Sequence, residues 1–145
     1  MGHRVEALAQ ARGHEIVARI DAGNVADTDT TAFRSADVAI EFSTPSTAVD
    51  GILRCFAAGV PVVVGTTGWQ RELPDLRDMC LKGAGTLLYS SNFSIGVNLF
   101  RAVNRYLASL MEKVGGYEPS VSEVHHIHKL DHPSGTAVTI AEDIL

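Results

Sequence analysis

The feature that most constrains this chain is an alternation of short, apolar, β-branched runs with segments of helical period. EIVARI (residues 15–20), VAIEF (38–42), PVVVGTT (61–67) and TLLYSS (86–91) read as strands, and residues 2–12, 47–58 and 72–82 read as helices between them. Gly13, Gly59 and Gly83 stand where those helices must stop, because a residue without Cβ enters the left-handed cap conformation at little cost. Apolar strands separated by helices predict a parallel sheet with helices on both faces. With 46% hydrophobic and 20% charged residues in 145, the chain has material for a core and not the composition of a disordered segment.

After Phe93 the pattern changes. Phe100, Val103, Leu107, Leu110, Met111 and Val114 share one face at helical spacing, so a long amphipathic helix is expected, ended by Gly115 and Gly116. Residues 117–124 alternate and read as a strand, followed by a His-rich turn. A last helix begins near Ser134 and runs to the end. The expected domains are therefore 1–93 and 94–145. Both ends read as cut. A dinucleotide fold begins with a strand and a glycine-rich turn, whereas this chain opens on a helix and closes inside one, on AEDIL. The fold class expected is α/β: a Rossmann-like parallel sheet lacking its first strand, then the start of an α+β domain.

The formal net charge of −5 repels phosphate backbones and anionic lipid, which argues against a nucleic-acid or membrane-surface role. No apolar run has the length of a membrane span, and the first ten residues lack the apolar core of a secretion signal. Cys55 and Cys80 are far apart with no paired-ligand spacing, as expected of a reduced, cytoplasmic protein.

Several residues sit where a nucleotide fold meets its ligand. Gly2 opens the first helix, where free N–H groups favour a phosphate; it is either the last glycine of a G-x-G-x-x-G turn or an accident of the start. Asp21 ends EIVARI about 20 residues later, the place of a carboxylate that accepts from an adenosine ribose, and equally the place of a turn aspartate before Gly23 and Asn24. Ala22 offers no positive charge for a ribose phosphate, which predicts a preference for NADH over NADPH, or little discrimination. Gly65-Thr66-Thr67-Gly68 follows the strand PVVV as a ligand-contacting turn or a plain strand-to-helix turn. Ser91-Asn92-Phe93 suits a cofactor contact or an interdomain hinge, and Phe42-Ser43-Thr44-Pro45 is a weaker candidate of the same kind.

The densest cluster is EVHHIHKLDHPSGTA, residues 123–137, with His125, His126, His128, Lys129, Asp131 and His132 in eight consecutive positions. One reading is an exposed polar loop. A second is zinc, but adjacent His125 and His126 point opposite ways on a strand, and neither H-E-x-x-H nor a cysteine pair accompanies them. No metal is expected. The third reading is an acid–base and anion site. Histidine exchanges protons near neutrality, lysine supplies positive charge or a proton, and Ser134-Gly135-Thr136 opens a helix with free N–H groups and two hydroxyls. That combination suits reduction of a small acidic substrate.

This stretch resembles the catalytic motif of the dihydrodipicolinate reductase family of lysine and diaminopimelate synthesis. The ordered set of Gly2, Asp21, the FSTP turn, GTTG and SNFSIGVN (91–98) resembles that family as well. The fifteen-residue motif is specific; GTTG and Gly2 are not. The resemblance implies a dinucleotide-binding domain followed by a substrate domain, NADH or NADPH as hydride donor, a dicarboxylate ring as substrate, and a homotetramer. It implies that His125 is the principal acid/base and Lys129 the second proton donor. His126, Gly135 and Thr136 would hold the carboxylates, with Ser134 and Lys129 assisting. Gly65, Thr66, Thr67, Ser91, Asn92 and Phe93 would touch the cofactor, and Asp21 the ribose.

Two departures stand against the family pattern. His132 occupies a position usually held by a small residue, where an imidazole either crowds the loop or points outward. The first strand and two turn glycines are absent, from which an inactive, marginally stable chain is expected. The competing functional readings are another two-domain nicotinamide oxidoreductase, such as an aldehyde or sugar-acid reductase, and a non-catalytic nucleotide-binding Rossmann protein.

Overall fold

The computed structural model describes residues 1–129 and 132–145. The chain divides into two compact units, Met1–Ser90 and Ser91–Leu145.

The first unit holds helix α1 (Gly2–Ala11), a short helix α2 (Thr31–Arg34) and three strands, β1 (Ala39–Glu41), β2 (Val62–Val64) and β3 (Leu87–Tyr89). Helices α3 (Pro45–Ala58) and α4 (Leu73–Leu81) connect the strands. The sheet is parallel throughout in the order β1-β2-β3, with Ala39, Val62 and Leu87 in register. Sequential parallel strands joined by right-handed crossovers carry their helices on one face. The burial pattern agrees. Val62 and Val64 face a core of Ile52, Cys55 and Phe56 from α3, Leu76 from α4, and Phe33 and Trp69. The opposite row tells the other half: Ile40 and Leu88 are 50% and 57% exposed, so the helices cover one face and not both.

Local chemistry accounts for the helix limits. Thr44 and Thr47 form a capping box around Pro45 at the start of α3, two residues earlier than the apolar pattern suggests. Gly59 ends α3 at φ 74°, the left-handed region that L side chains avoid. Thr30 caps α2 by accepting from the Phe33 N–H. This helix, with the 3-10 turn Val25–Asp29 before it, fills a stretch that carries no periodic signal in the sequence.

EIVARI (15–20) does not form a strand. A strand is completed by the partner that accepts its backbone hydrogen bonds; among the described residues β1, β2 and β3 pair only with one another, and none of them reaches this segment. Its β-branched composition therefore has no ladder to join.

The second unit consists of α5 (Ile95–Val114) and α6 (Gly135–Glu142) with a loop between them. Gly115 stops α5 at φ 73°. The two helices are joined by Asp143, whose carboxylate accepts from Arg101 Nε at 2.8 Å and Nη2 at 3.1 Å, and from Arg105 Nη1 at 3.2 Å. Asn104 Nδ2 also donates to the Ile140 carbonyl at 3.3 Å. Residues 117–124 alternate in sequence but form no strand, and among the described residues none pairs with them. The apolar stripe of α5 is also open, with Phe100, Val103 and Leu107 each more than half exposed.

Candidate functional site

In the first unit the candidate residues lie at the carboxyl ends of the strands and at two turns. Gly65 follows β2 and its N–H donates to the Glu41 carbonyl. A Cβ there would run into the ring of Phe42, so glycine is required by the neighbouring strand end. Thr66 is buried, and its hydroxyl accepts from the Ser43 N–H at 2.8 Å while its carbonyl accepts from the indole N–H of Trp69 at 2.6 Å. It ties the β2 turn to the β1 turn and to the core. Thr67 is half-buried beside it.

Asp21 forms an Asx turn, Oδ1 accepting from the Gly23 N–H at 2.7 Å, while its own N–H donates to Asn24 Oδ1. Its carboxylate is exposed. Gly2 lies at the start of α1, where no side chain caps the helix and a Cβ on the glycine would meet nothing within 4 Å. One residue that the sequence patterns do not single out stands at the same strand ends. Glu41 accepts from the Ser43 N–H through Oε1, while its Oε2 is buried with no hydrogen-bond partner among the described residues. Together with burial, this carboxylate pushes the Cys55 thiol up to about 11, burial being the larger cause.

The second unit gathers most of the motif around the start of α6. Ser134 is 5% exposed and caps the helix, Oγ accepting from the Ala137 N–H at 3.1 Å. Both donors of Ser134 go to Glu123: the N–H to Oε1 at 2.8 Å and the hydroxyl to Oε2 at 2.6 Å. His125 Nδ1 lies 3.5 Å from the same Oε2. The two Ser134 hydrogen bonds hold the Glu123 carboxyl below its ordinary range, with smaller help from the charges of His125 and Lys129.

A cavity of about 330 Å³ opens here, lined by Asn92, Glu123, His125, Ser134 and Thr136, with Val121 and Ile140 as apolar walls. Asn92 thus joins the motif residues; its Oδ1 accepts from the Ser94 N–H and its carbonyl from Asn98 Nδ2. Ser91 Oγ lies 3.2 Å from Thr139 Oγ1, and Phe93 is 45% exposed. Gly135 begins α6, its carbonyl accepting from the Thr139 hydroxyl.

His126 and Lys129 are not among the lining residues. His126 Nδ1 accepts from the His128 N–H, and its carbonyl from the Lys129 N–H. His132 is exposed, with Nε2 2.8 Å from the Lys129 carbonyl, so its imidazole turns outward. Asp131 lies outside the described residues. Among the described residues no three His, Cys, Asp or Glu side chains converge as metal ligands. Nor is any helix among them long and apolar enough to cross a membrane.

Glu123 is the site residue that sequence reasoning underused. It opens the motif, and its spacing of two from His125 puts both side chains on one side of an extended chain, which is the signal that could have found it.

Fold and site define a Rossmann-like α/β unit followed by a second unit whose imidazole-rich loop meets a capped helix start. Residues 1–93 match the family model described as dihydrodipicolinate reductase, N-terminus, and residues 96–145 the model described as its C-terminus. The chain belongs to the dihydrodipicolinate reductase family. It is 42% identical over 145 residues to a 4-hydroxy-tetrahydrodipicolinate reductase of Christiangramia forsetii, covering 100% of this chain and 60% of the relative. It is 41% identical over 135 residues to the reductase of the same name from Methanothermobacter thermautotrophicus, covering 92% and 47%. For Alkaliphilus metalliredigens the identity is 36% over 146 residues, covering 99% and 58%. The chain spans about half the length of the curated relatives it matches.

Proposed function

We propose that this chain carries the nucleotide-binding and acid–base parts of an NAD(P)H-dependent 4-hydroxy-tetrahydrodipicolinate reductase. Residues 1–93 serve the dinucleotide and 94–145 begin the substrate domain. The observation that carries the reading is the cavity at the start of α6, where His125 and Thr136 line one space.

The reaction replaces a hydroxyl on the ring by hydride: a carbon–oxygen bond breaks, the hydroxyl leaves as water with one proton, and a carbon–hydrogen bond forms. NAD(P)H supplies the hydride. The protein supplies the proton and holds the ring. His125 donates at the cavity wall, since imidazole is a proton donor near neutral pH. Lys129 adds positive charge as electron density builds on the ring, and serves as the second donor. Thr136 and Gly135 receive one carboxylate at the helix start, where the helix dipole favours an anion, and the family resemblance, not the cavity lining, assigns the other to His126. Ser134 assists indirectly, by fixing that helix start through its cap.

The residues of the first unit fit the dinucleotide. The start of α1 has no side-chain cap and has open space at Gly2, as a phosphate requires. The exposed Asp21 carboxylate accepts ribose hydroxyls. Gly65, Thr66 and Thr67 are the further contacts offered by this unit, and the family resemblance assigns cofactor contacts to Ser91, Asn92 and Phe93 of the second unit as well. No cation follows Asp21, which favours NADH over NADPH. The whole protein works in the cytoplasm as a homotetramer.

Nicotinamide oxidation, followed with and without the ring substrate, tests the proposal in the chain as given and in a version extended with the remaining segment of one of its relatives. Oxidation that requires the ring substrate, and that falls far more than nucleotide affinity in His125→Ala and Lys129→Ala, is the expected result. Wild-type turnover in both variants would refute the assignment, and nucleotide binding without ring-dependent oxidation in the extended version would favour a non-catalytic binding protein.

A further inference from the structure

We infer that Glu123 is a positioning residue for His125, fixing the imidazole as its Nδ1–H tautomer while anchoring it to the start of α6. The inference deepens the reading of His125 as the acid/base group and rests on it.

Three contacts converge on one carboxylate. Oε1 accepts from the Ser134 N–H at 2.8 Å, Oε2 accepts from the Ser134 hydroxyl at 2.6 Å, and Oε2 stands 3.5 Å from His125 Nδ1. Ser134 is 5% exposed and its hydroxyl oxygen is at the same time the cap of α6. Turning the carboxylate would break both of its hydrogen bonds from Ser134, so the start of that helix sets its orientation before any ligand arrives.

An ionised carboxylate only accepts hydrogen bonds. Facing Nδ1, it attracts a proton there and repels a lone pair. The neutral ring accordingly carries its proton on Nδ1 and leaves Nε2 as the atom that takes up or releases a proton; which nitrogen is protonated is set by the partner of the other. Because Glu123, His125, Ser134 and Thr136 line one cavity, the same carboxylate fixes the imidazole relative to the groups assigned to the substrate's carboxylates. Glu123 touches no reacting atom in this arrangement; it acts through His125.

The experiment reads the ring ¹⁵N resonances of His125 in the full chain at about pH 8, where free imidazole is neutral. The unmodified chain is expected to show the Nδ1–H form as the majority species. In Glu123→Gln, which keeps the shape and an acceptor for Ser134 but removes the charge, that majority is expected to pass to the Nε2–H form. Glu123→Asp, with the charge retained, is expected to restore part of it. A majority of Nε2–H in the unmodified chain would overturn the inference without any variant being needed, whether or not Glu123→Gln folds. A lowered melting temperature in Glu123→Gln with an unmoved tautomer would overturn it too, showing a purely structural role. Dipicolinate, the aromatic parent of the ring in the family's name, separates the two layers. If it leaves His125 and Thr136 undisturbed while the tautomer responds as expected, the positioning stands and the substrate assignment falls. If it binds there while the tautomer ignores Glu123, the reverse holds.

Discussion

Replacing Asp143 by alanine removes the carboxylate that ties α6 to α5. The side chain of Asp143 is 8% exposed and that of Arg101 21%, and their contact is two-pronged. Hydrogen bonds to charged groups contribute roughly 1.5–3 kcal/mol when removed from water. The partly exposed Arg101 screens that value, leaving about 1–2 kcal/mol. Arg105 is half exposed and adds little. For a unit of this size, that loss lowers the melting temperature by on the order of 5–10 °C. The assay is helical circular dichroism during thermal and urea unfolding of Asp143→Ala, with Arg105→Ala as the control. The pH dependence has a definite sign. The Asp143 carboxyl is held below its ordinary value, chiefly by the Arg101 hydrogen bond. Its stabilisation is therefore present above the unfolded carboxylate pKa of about 3.9 and is lost as pH falls through the lower folded value. The difference between wild type and Asp143→Ala should be constant from neutrality to about pH 5 and shrink in acid. A loss no larger than that of Arg105→Ala, or a difference that persists unchanged in strong acid, would refute the reasoning.

Further outcomes follow from the core and the helix cap. Ile52 is fully buried against the sheet, so Ile52→Ala should cost about 2–5 kcal/mol of the first unit's stability, read by the fluorescence of buried Trp69. Gly65→Ala drives a methyl into the Phe42 ring and should destabilise by about 1–3 kcal/mol, with part of the loss recovered when Phe42→Ala is added; urea unfolding measures both. Ser134→Ala removes the α6 cap and should cost about 1 kcal/mol in thermal unfolding while loosening dipicolinate binding.

The elements legible in sequence were those whose signal is local. PVVV needed only its β-branched run, α3 its period and Gly59, and α5 its apolar stripe and Gly115. EIVARI and residues 117–124 failed for one reason: a β-branched run or an alternation describes a side-chain pattern, while a strand also needs a partner that no local window contains. The second-unit cavity was legible as a motif, but its internal wiring was not. Ser134 reads as a helix cap offering donors to a ligand, and only the folded loop reveals that both donors go to Glu123. In the same way Thr66 reads as a ligand-facing hydroxyl, yet the fold commits its hydroxyl to Ser43 and its carbonyl to Trp69. His132 shows the converse, since its residue type does not tell that its imidazole meets the Lys129 carbonyl.

The central claim is that the start of α6 and His125 together receive a ring dicarboxylate. A titration of the isotopically labelled chain with dipicolinate, followed by heteronuclear NMR, tests it most directly. The account predicts that the Thr136 amide and the His125 ring move together and saturate at one concentration, and that Thr136→Val abolishes both responses. Saturation elsewhere, with Thr136 and His125 unmoved, would contradict it.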